Sequence, residues 1–267
     1  MKILIRGAGD IATGIALRLY RAGMQVVMTD LPAPTAIRRT VCFSQAIILG
    51  EMTVEDVTAR RAETPDQAEA LLAQGLIPML ADPDCTCRTR LRPDALVDAI
   101  LAKRNLGTKI DDAPIVVGIG PGFTAGEDCH AVVETMRGHT LGRVIYRGSA
   151  LPNTNIPGLI GGYAGERVLR APAEGIFCQK LEIGAVVRAG DIAGEVAGQP
   201  MRCTIDGVLR GILADGTPVF RGMKAGDVDP RCKPEYCTTA SDKALAVGGG
   251  VLEAVLHLHH QHPKTRK

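Results

Sequence analysis

Short apolar runs alternate with helix-spaced apolar positions along the first half of the chain. Runs bounded by glycine or charged residues predict buried strands, and apolar residues that recur every three or four positions predict amphipathic helices. These patterns predict strands over 2–6, 25–29, 76–80 and 115–119 and helices over 11–22 and 65–74. Between Arg38 and Ala62 the pattern is mixed and predicts no element. The alternation indicates an α/β class, with a Rossmann-like parallel sheet domain over residues 1–146.

Glycine turns replace helical periodicity in the second half. Two similar stretches, 184–194 and 215–227, hold short apolar pairs separated by turns of glycine and aspartate. This pattern is typical of small all-β modules, and it resembles the biotinyl/lipoyl barrel-sandwich hybrid. The connecting turn, Asp206-Gly207, contains no lysine. We therefore expect a β-rich domain over 147–247 that carries no covalent biotin or lipoate.

The C-terminal segment, 248–267, is predicted to be a helix followed by a basic, histidine-rich tail. Gly248–Gly250 stands before the predicted helix Val251–Leu258. The amides at that helix start could bind an anion. A flexible entry to a packing helix explains the glycines equally well.

Composition restricts the class of partner. The chain has 267 residues, with 31 Lys and Arg against 29 Asp and Glu, 3% aromatic residues and no Trp. This charge balance gives no general attraction to nucleic acid or to anionic membranes. Few aromatic rings are present for stacking on bases. No apolar run reaches the roughly 18 residues of a membrane span. We expect a cytoplasmic protein with no nucleic-acid or membrane partner.

The N-terminal pattern of strand, glycine turn, helix, strand and acid is typical of dinucleotide binding. Gly7 allows a tight turn, Gly9 lets a diphosphate approach the backbone, and Ala12 permits close helix packing. A carboxylate at Asp30 could accept hydrogen bonds from a ribose diol and would repel a 2′-phosphate, which favours NAD over NADP. The predicted contacts of this turn with a cofactor are Gly7, Gly9, Asp10, Ala12, Gly14 and Asp30. Packing of strand on helix explains the glycines without any ligand.

A second glycine loop follows the predicted strand over 115–119. It adds Gly118, Gly120 and Gly122 to the predicted cofactor contacts. Loops at the carboxyl ends of parallel strands meet at one edge of a sheet, so both glycine loops, Asp30 and Asp82 could converge on one crevice. A glycine-rich connection without a ligand is the alternative.

Candidate chemistry lies next to this second loop. Cys129, His130, Glu134 and His139 are the predicted catalytic residues, for proton or sulfur transfer. A thiolate beside an imidazolium has a lowered pKa, and on a helix His130 and Glu134 would share a face. A buried, hydrogen-bonded histidine is the structural alternative. The pairs Cys85/Cys87 and Cys232/Cys237 lack the four ligands of a closed metal site, so no metal is predicted.

Six motifs distributed along the chain carry a resemblance to a known family. They are Arg6–Gly14, Val116–Gly126, Glu134–His139, Asp227–Arg231, Ser241–Lys243 and Gly248–Glu253. Together they resemble the YqeB-like family, which is associated with the selenium-dependent molybdenum hydroxylase system. The resemblance implies an accessory role in maturation, with the hydroxylase and its other maturation proteins as partners. It also implies NAD or another nucleotide-containing cofactor, such as a molybdopterin dinucleotide.

Two other functions remain open from the sequence, and enzymatic activity is undecided. An NAD-dependent oxidoreductase acting on a small molecule is consistent with Asp30, although no convincing acid-base triad supports it. A non-catalytic scaffold could use the β-rich domain to dock a partner enzyme. A homo-oligomer is compatible with each of these functions.

Overall fold

The computed structural model describes residues 1–154 and 156–261. The chain divides into two compact units, each assembled from separate stretches of sequence. The first contains Met1–Pro34, Cys42–Asn153 and the chain from Ala240 onward, and the second contains Thr35–Val41 and Thr154–Thr239. The predicted tail from 262 onward lies outside the described residues.

The first unit contains a nine-stranded sheet, a two-stranded sheet and five helices within its described part. Its strands are β1 (Lys2–Arg6), β2 (Gln25–Asp30), β3 (Glu51–Val54), β4 (Val57–Ala62), β5 (Ile77–Ala81), β6 (Ala95–Asp98), β7 (Ile115–Ile119), β8 (Thr124–Ala125), β9 (Ala131–Val133), β10 (Val144–Ile145) and β11 (Gly148–Ser149). Its helices are α1 (Asp10–Arg21), α2 (Gln45–Leu49), α3 (Pro65–Leu72), α4 (Arg88–Leu91) and α5 (Asp242–Gln261). The predicted strands and helices of this half are present with similar bounds.

The large sheet is ordered β10-β9-β7-β6-β1-β2-β5-β4-β3. Its seven inner strands are parallel, and the outer strands β3 and β10 are antiparallel to their neighbours. Six of the parallel strands, taken without the β3–β4 hairpin, run β5-β2-β1-β6-β7-β9, which is the 3-2-1-4-5-6 order of dinucleotide-binding sheets. The predicted α/β class with a parallel sheet is confirmed.

Buried apolar side chains explain why these strands form. Ile3, Leu4 and Ile5 in β1 are fully buried, and every residue of β7 is buried. Continuous apolar runs of this kind are expected of parallel strands that are covered on both faces. The chain reverses its direction of growth between β1 and β6, because β2 and β5 extend the sheet on one side while β7 and β9 extend it on the other.

Helix α5 corrects the prediction for the C-terminal segment. It begins at Asp242, so Gly248–Gly250 lies inside the helix and is not its entry. These glycine amides therefore do not form a free helix start for an anion. The helix packs on α1 and against β7, β9 and β10. The described segments that connect β6 to β7 and β7 to β9 contain no helix of their own, and α5 covers this part of the sheet instead.

Two antiparallel four-stranded sheets make up the second unit. Its strands are β12 (Val168–Arg170), β13 (Gly175–Gln179), β14 (Val186–Val187), β15 (Ile192–Val196), β16 (Gln199–Arg202), β17 (Gly207–Ile212), β18 (Pro218–Val219) and β19 (Lys224–Asp229). The sheets are ordered β12-β19-β17-β14 and β16-β15-β13-β18. Short 3-10 helices occur at Arg39–Val41, Gly165–Arg167 and Pro234–Cys237. The β-rich character agrees with the sequence, and the barrel-sandwich topology stays a prediction.

A buried ion-pair network occupies the second unit. Arg167 and Arg210 both contact the carboxylate of Asp227, at 2.9 Å and 2.7 Å. Arg210 also reaches Asp229 at 3.1 Å. All four side chains are at least nine-tenths buried.

None of the helices in the described ranges combines the length and the apolarity needed to cross a membrane.

Candidate functional site

The glycine turn after β1 lies at the strand reversal of the sheet. Gly7 adopts φ +99°, a left-handed conformation that glycine reaches without strain. Its amide donates to the carbonyl of Thr29 at 2.8 Å. A Cβ added at Gly7 would stand 2.9 Å from the backbone of Ala99, just beyond β6. Gly7 is therefore required by the close approach of two protein loops.

Gly9 differs from Gly7 because the space beside it is open. It is the N-cap of α1, no side chain caps that helix, and a Cβ added there would meet nothing within 4 Å. The first amides of a helix lack intrahelical acceptors and carry the positive end of the helix dipole. The structure thus leaves room for an anion at the residue where the sequence predicts a diphosphate contact.

Asp30 turns toward this glycine turn. One carboxylate oxygen accepts from the amide of Ala8 at 2.7 Å, and the other accepts from the amide of Leu31 at 2.7 Å. Burial raises the pKa of Asp30, and the two amide bonds only partly offset it. Each carboxylate oxygen offers two acceptor positions, so capacity remains for a sugar hydroxyl.

The other residues of the predicted turn serve α1 itself. Ala12 is fully buried, and a Cβ added at Gly14 would stand 2.5 Å from the Cβ of Ala244 in α5. Gly14 is therefore explained by the contact between the two helices. Asp10 accepts from the amide of Ile11 at 2.9 Å and is partly exposed at the edge of the sheet.

The second glycine loop is packed against protein. A Cβ at Gly118 would meet the ring of Phe123 at 2.5 Å, and one at Gly120 would meet the hydroxyl of Thr135 at 2.7 Å. A Cβ at Gly122 would lie 2.6 Å from the backbone of Arg104. These glycines do not open a second cradle. They bring the loops that follow β6, β7 and β9 together at the carboxyl edge of the sheet.

The loop after β6 is fixed by a buried polar network. Arg6 donates to the hydroxyl of Thr108 at 3.0 Å and lies 3.4 Å from Asp98, and Thr108 donates to Asp98 at 2.6 Å. Asn105 ties the same loop to Asp128 at 3.1 Å. These contacts show that Asp98 holds the loop in place.

The start of α5 and the loop after β9 bring cationic side chains to this edge. Arg137, after β9, makes a two-point contact with Asp242 at 2.8 Å and 3.1 Å. Burial lowers the pKa of Lys243, and the charges of Lys103 and Arg137 lower it further. Asp10 and Glu134 act in the opposite direction on the same ammonium group. Side chains from two loops, α1 and α5 therefore share one electrostatic environment.

The four predicted catalytic residues mostly make backbone contacts. The segment from His130 to Glu134 contains strand β9, not a helix. His130 accepts the amide of Val116 through Nδ1 at 3.0 Å. Glu134 is buried, and it accepts three amides at 2.6, 2.6 and 2.8 Å. Cys129 is fully buried, and burial raises the pKa of its thiol to about 11. His139 is exposed in the following loop.

These contacts account for Cys129, His130 and Glu134 as structural residues. A raised thiol pKa leaves Cys129 protonated near neutral pH, which is unfavourable for a nucleophile. Their catalytic role stays a prediction.

Asp82 and the neighbouring thiols form a separate loop after β5. Asp82 accepts from the amide of Cys87 at 2.7 Å and from the hydroxyl of Thr86 at 3.1 Å. Cys85 and Cys87 are buried, and the hydrogen bond between the thiols raises the pKa of Cys87. Within the residues that the structure describes, no cluster of three His, Cys, Asp or Glu side chains is arranged for a metal ion.

Comparison with known proteins supports the family resemblance. No protein-family model matches the chain. Over 265 residues the chain is 51% identical to the Escherichia coli (strain K12) protein named uncharacterized protein YqeB. The chain is homologous to half of YqeB. The match takes in 99% of this chain and 49% of YqeB, so the chain spans about half the length of this curated relative.

Solved structures show only distant similarity. A succinylglutamate desuccinylase/aspartoacylase from Rhodobacter sphaeroides has a TM-score of 0.21 and 26% identity, covering 24% of this chain and 22% of that protein. The product-bound ectoine utilization protein EutE (DoeB) from Ruegeria pomeroyi has a TM-score of 0.23 and 12% identity, covering 76% and 57%.

Proposed function

We propose that this chain is an accessory factor for maturation of a molybdenum hydroxylase, and that it binds a nucleotide-containing cofactor at the strand reversal of its parallel sheet. The diphosphate lies over Gly9, and Asp30 accepts a hydrogen bond from a sugar hydroxyl. The observation that carries the binding proposal is the open position at Gly9, at an uncapped helix start beside an inward-facing carboxylate.

The residues present fit the shared part of two cofactors. NAD and a molybdopterin dinucleotide both contain a diphosphate joined to a ribose. A helix start supplies amides to the diphosphate, and a carboxylate at the end of the second strand suits the ribose diol. The maturation role rests on the YqeB-like resemblance, and the homology to half of YqeB supports that resemblance.

Calorimetric titration with NAD and with cytidine and guanosine diphosphates tests the binding site. Gly9→Leu fills the open space and should reduce affinity for the bound nucleotide by at least about tenfold, since it removes charge-assisted amide contacts. Gly249→Leu is the matched control, because a Cβ at Gly249 also meets nothing within 4 Å. Failure of every nucleotide to bind at millimolar concentration, or equal binding by Gly9→Leu, would refute the proposed site.

Gene deletion tests the maturation role separately. Loss of the gene should lower molybdenum hydroxylase activity and the cofactor content of that enzyme. Complementation by Gly9→Leu should fail while Gly249→Leu restores activity. An unchanged target enzyme in the deletion strain would remove the maturation role but leave the nucleotide site standing.

The β-rich unit is proposed to be a biotinyl/lipoyl-like module without a carried group. Its two antiparallel sheets are consistent with this assignment, and its Asp206-Gly207 turn has no lysine to modify. Asp206 instead accepts the amide of Ala189 at 2.7 Å. Intact-mass measurement should find neither biotin nor lipoate attached to the purified chain.

A further inference from the structure

We propose that a cavity lined by Arg6 and Arg88 binds a small oxyanion, which is an inorganic anion such as phosphate or a carboxylate group. The cavity has a volume of about 190 Å³ and lies at the carboxyl end of β1, between the segments that follow β5 and β6. Gly9 and Asp30 are not among the residues that line it. This oxyanion site is therefore separate from the proposed nucleotide site and does not depend on it.

Arg6 brings a buried guanidinium group to the cavity. It is the last residue of β1, and its side chain is 8% exposed. Its Nε donates to the carbonyl of Pro83 at 3.0 Å, and its Nη1 donates to the hydroxyl of Thr108 at 3.0 Å. Among the described residues its Nη2 donates only to the carbonyl of Leu106, at 3.3 Å. Since Nη2 carries two hydrogens, one of them remains for a ligand.

Arg88, the first residue of α4, lines the same cavity with a second guanidinium group. Its Nε lies 3.1 Å from a carboxylate oxygen of Asp112, and its Nη1 donates to the carbonyl of Cys85 at 3.0 Å. In the part of the chain that the structure describes, its Nη2 donates no hydrogen bond. Both hydrogens of that nitrogen are therefore free to bind a ligand, and a side chain that is 31% exposed is accessible from solvent.

The carboxylates around the cavity do not use these remaining donors. A carboxylate oxygen of Asp98 lies 3.4 Å from Nη1 of Arg6, and the same oxygen accepts from the hydroxyl of Thr108 at 2.6 Å. Asp112 divides its oxygens between the second guanidinium group and a backbone amide, which it accepts at 2.9 Å. Asp84 also lines the cavity, and it is an exposed residue whose carboxylate water can solvate.

The unused donors select a ligand that accepts several hydrogen bonds. Guanidinium groups bind carboxylate and phosphate oxygens through charge-assisted, often two-point, contacts. The cavity has the volume of about six water molecules, at about 30 Å³ each. A whole nucleotide does not fit, since drug-sized ligands occupy pockets of about 300–1,000 Å³. A small oxyanion satisfies both the donors and the space, whereas a cation would be repelled by the two arginines.

Calorimetric titration with inorganic phosphate at constant ionic strength tests the site. The wild-type chain should bind phosphate, and Arg88→Gln should weaken binding by about tenfold or more, the usual effect of losing hydrogen bonds to a charged group. Arg90→Gln is the matched control, because Arg90 belongs to the same helix and does not line the cavity. Asp84→Asn should strengthen binding by about two- to fivefold, since it removes an exposed negative charge at the cavity.

Melting of the ligand-free variants separates a loss of binding from unfolding. Should Arg88→Gln unfold, Arg88→Lys takes its place, because lysine keeps a positive charge near Asp112 but lacks the planar set of donors. Binding to Arg88→Lys should still be weaker than binding to the wild type.

Parallel titrations with sulfate and with acetate distinguish a tetrahedral anion from a carboxylate. Binding of any of these anions that depends on Arg88 supports the site, and the anion that binds most tightly gives its class. Phosphate binding that is lost in Gly9→Leu but unchanged in Arg88→Gln would place the anion at the start of α1 and refute the oxyanion site. Equal binding by the wild type and by a folded Arg88 variant, or no binding of all three anions at millimolar concentration, would also overturn it. Failure of every nucleotide to bind leaves this result unaffected, so the two proposals can fail separately.

Discussion

The three glycines inside α5 allow a graded test of how closely α5 packs. A Cβ at Gly249 would meet nothing within 4 Å, whereas one at Gly248 would stand 2.8 Å from the carbonyl oxygen of Gly14 and 3.1 Å from the Cα of Ile15. A Cβ at Gly250 would stand 2.1 Å from the carbonyl oxygen of Gly142. Alanine substitutions should therefore rank in stability as Gly249→Ala, Gly248→Ala and Gly250→Ala, from highest to lowest.

The magnitudes follow from two opposing contributions. Replacing glycine by alanine inside a helix stabilises it by about 1 kcal/mol, and this gain applies to all three positions. Overpacking against backbone costs about 1–3 kcal/mol. The propensity gain cancels when Gly248→Ala is compared with Gly249→Ala, so their difference isolates the packing cost. A difference of about 1–3 kcal/mol corresponds to roughly 2–12 °C in melting temperature for a unit of this size.

Far-UV circular dichroism during urea and thermal unfolding is the suitable assay. The chain has no Trp, so intrinsic tryptophan fluorescence is not an option. All five described α-helices belong to the unit with the parallel sheet, so the helical signal reports mainly on that unit. Equal stability of Gly248→Ala and Gly249→Ala would refute the close approach of α5 to α1.

Three further predictions concern buried charge and thiol chemistry. Asp227→Ala should destabilise the β-rich unit by about 3–5 kcal/mol in urea unfolding, because Arg167 and Arg210 each lose a buried ion-pair contact. Removal of Asp66, the exposed partner of Arg90, should cost no more than about 1 kcal/mol, and equal losses would contradict this prediction. The pKa of Lys243 is lowered in the folded chain, so the folded chain releases this proton at a lower pH than the unfolded chain does. The free energy of unfolding should therefore rise with pH until the ordinary lysine pKa of about 10.4 is reached. Lys243→Met should reduce this rise when unfolding is measured across that pH range. Iodoacetamide followed by peptide mass mapping should label exposed Cys232 before buried Cys129, and early labelling of Cys129 would revive its proposed role as a nucleophile.

The local sequence pattern was sufficient to predict the strands whose residues are buried along their whole length. The strands Lys2–Arg6 and Ile115–Ile119 have the predicted bounds, because short apolar runs between turn residues leave few alternatives. The region from Arg38 to Ala62 was not predictable in the same way. It changes from the β-rich unit to the sheet unit within a few residues, and its hairpin has half-exposed strands with mixed polarity.

Helix α5 shows tertiary packing overriding local preference. Three consecutive glycines are poor helix formers, so the local pattern predicts a helix that begins only at Val251. In the structure two of them lie where any side chain would collide with backbone. Close packing of α5 therefore decides where the helix begins, and its packing partners, such as Gly14 and Gly142, lie far away in the sequence.

The candidate site was predictable in its N-terminal part only. The spacing of Gly9 and Asp30 indicated a phosphate and sugar site, and the structure brings both residues to one turn. At Glu134 the sequence was a poor guide. Its motif suggested acid-base chemistry, but its carboxylate accepts hydrogen bonds from three backbone amides.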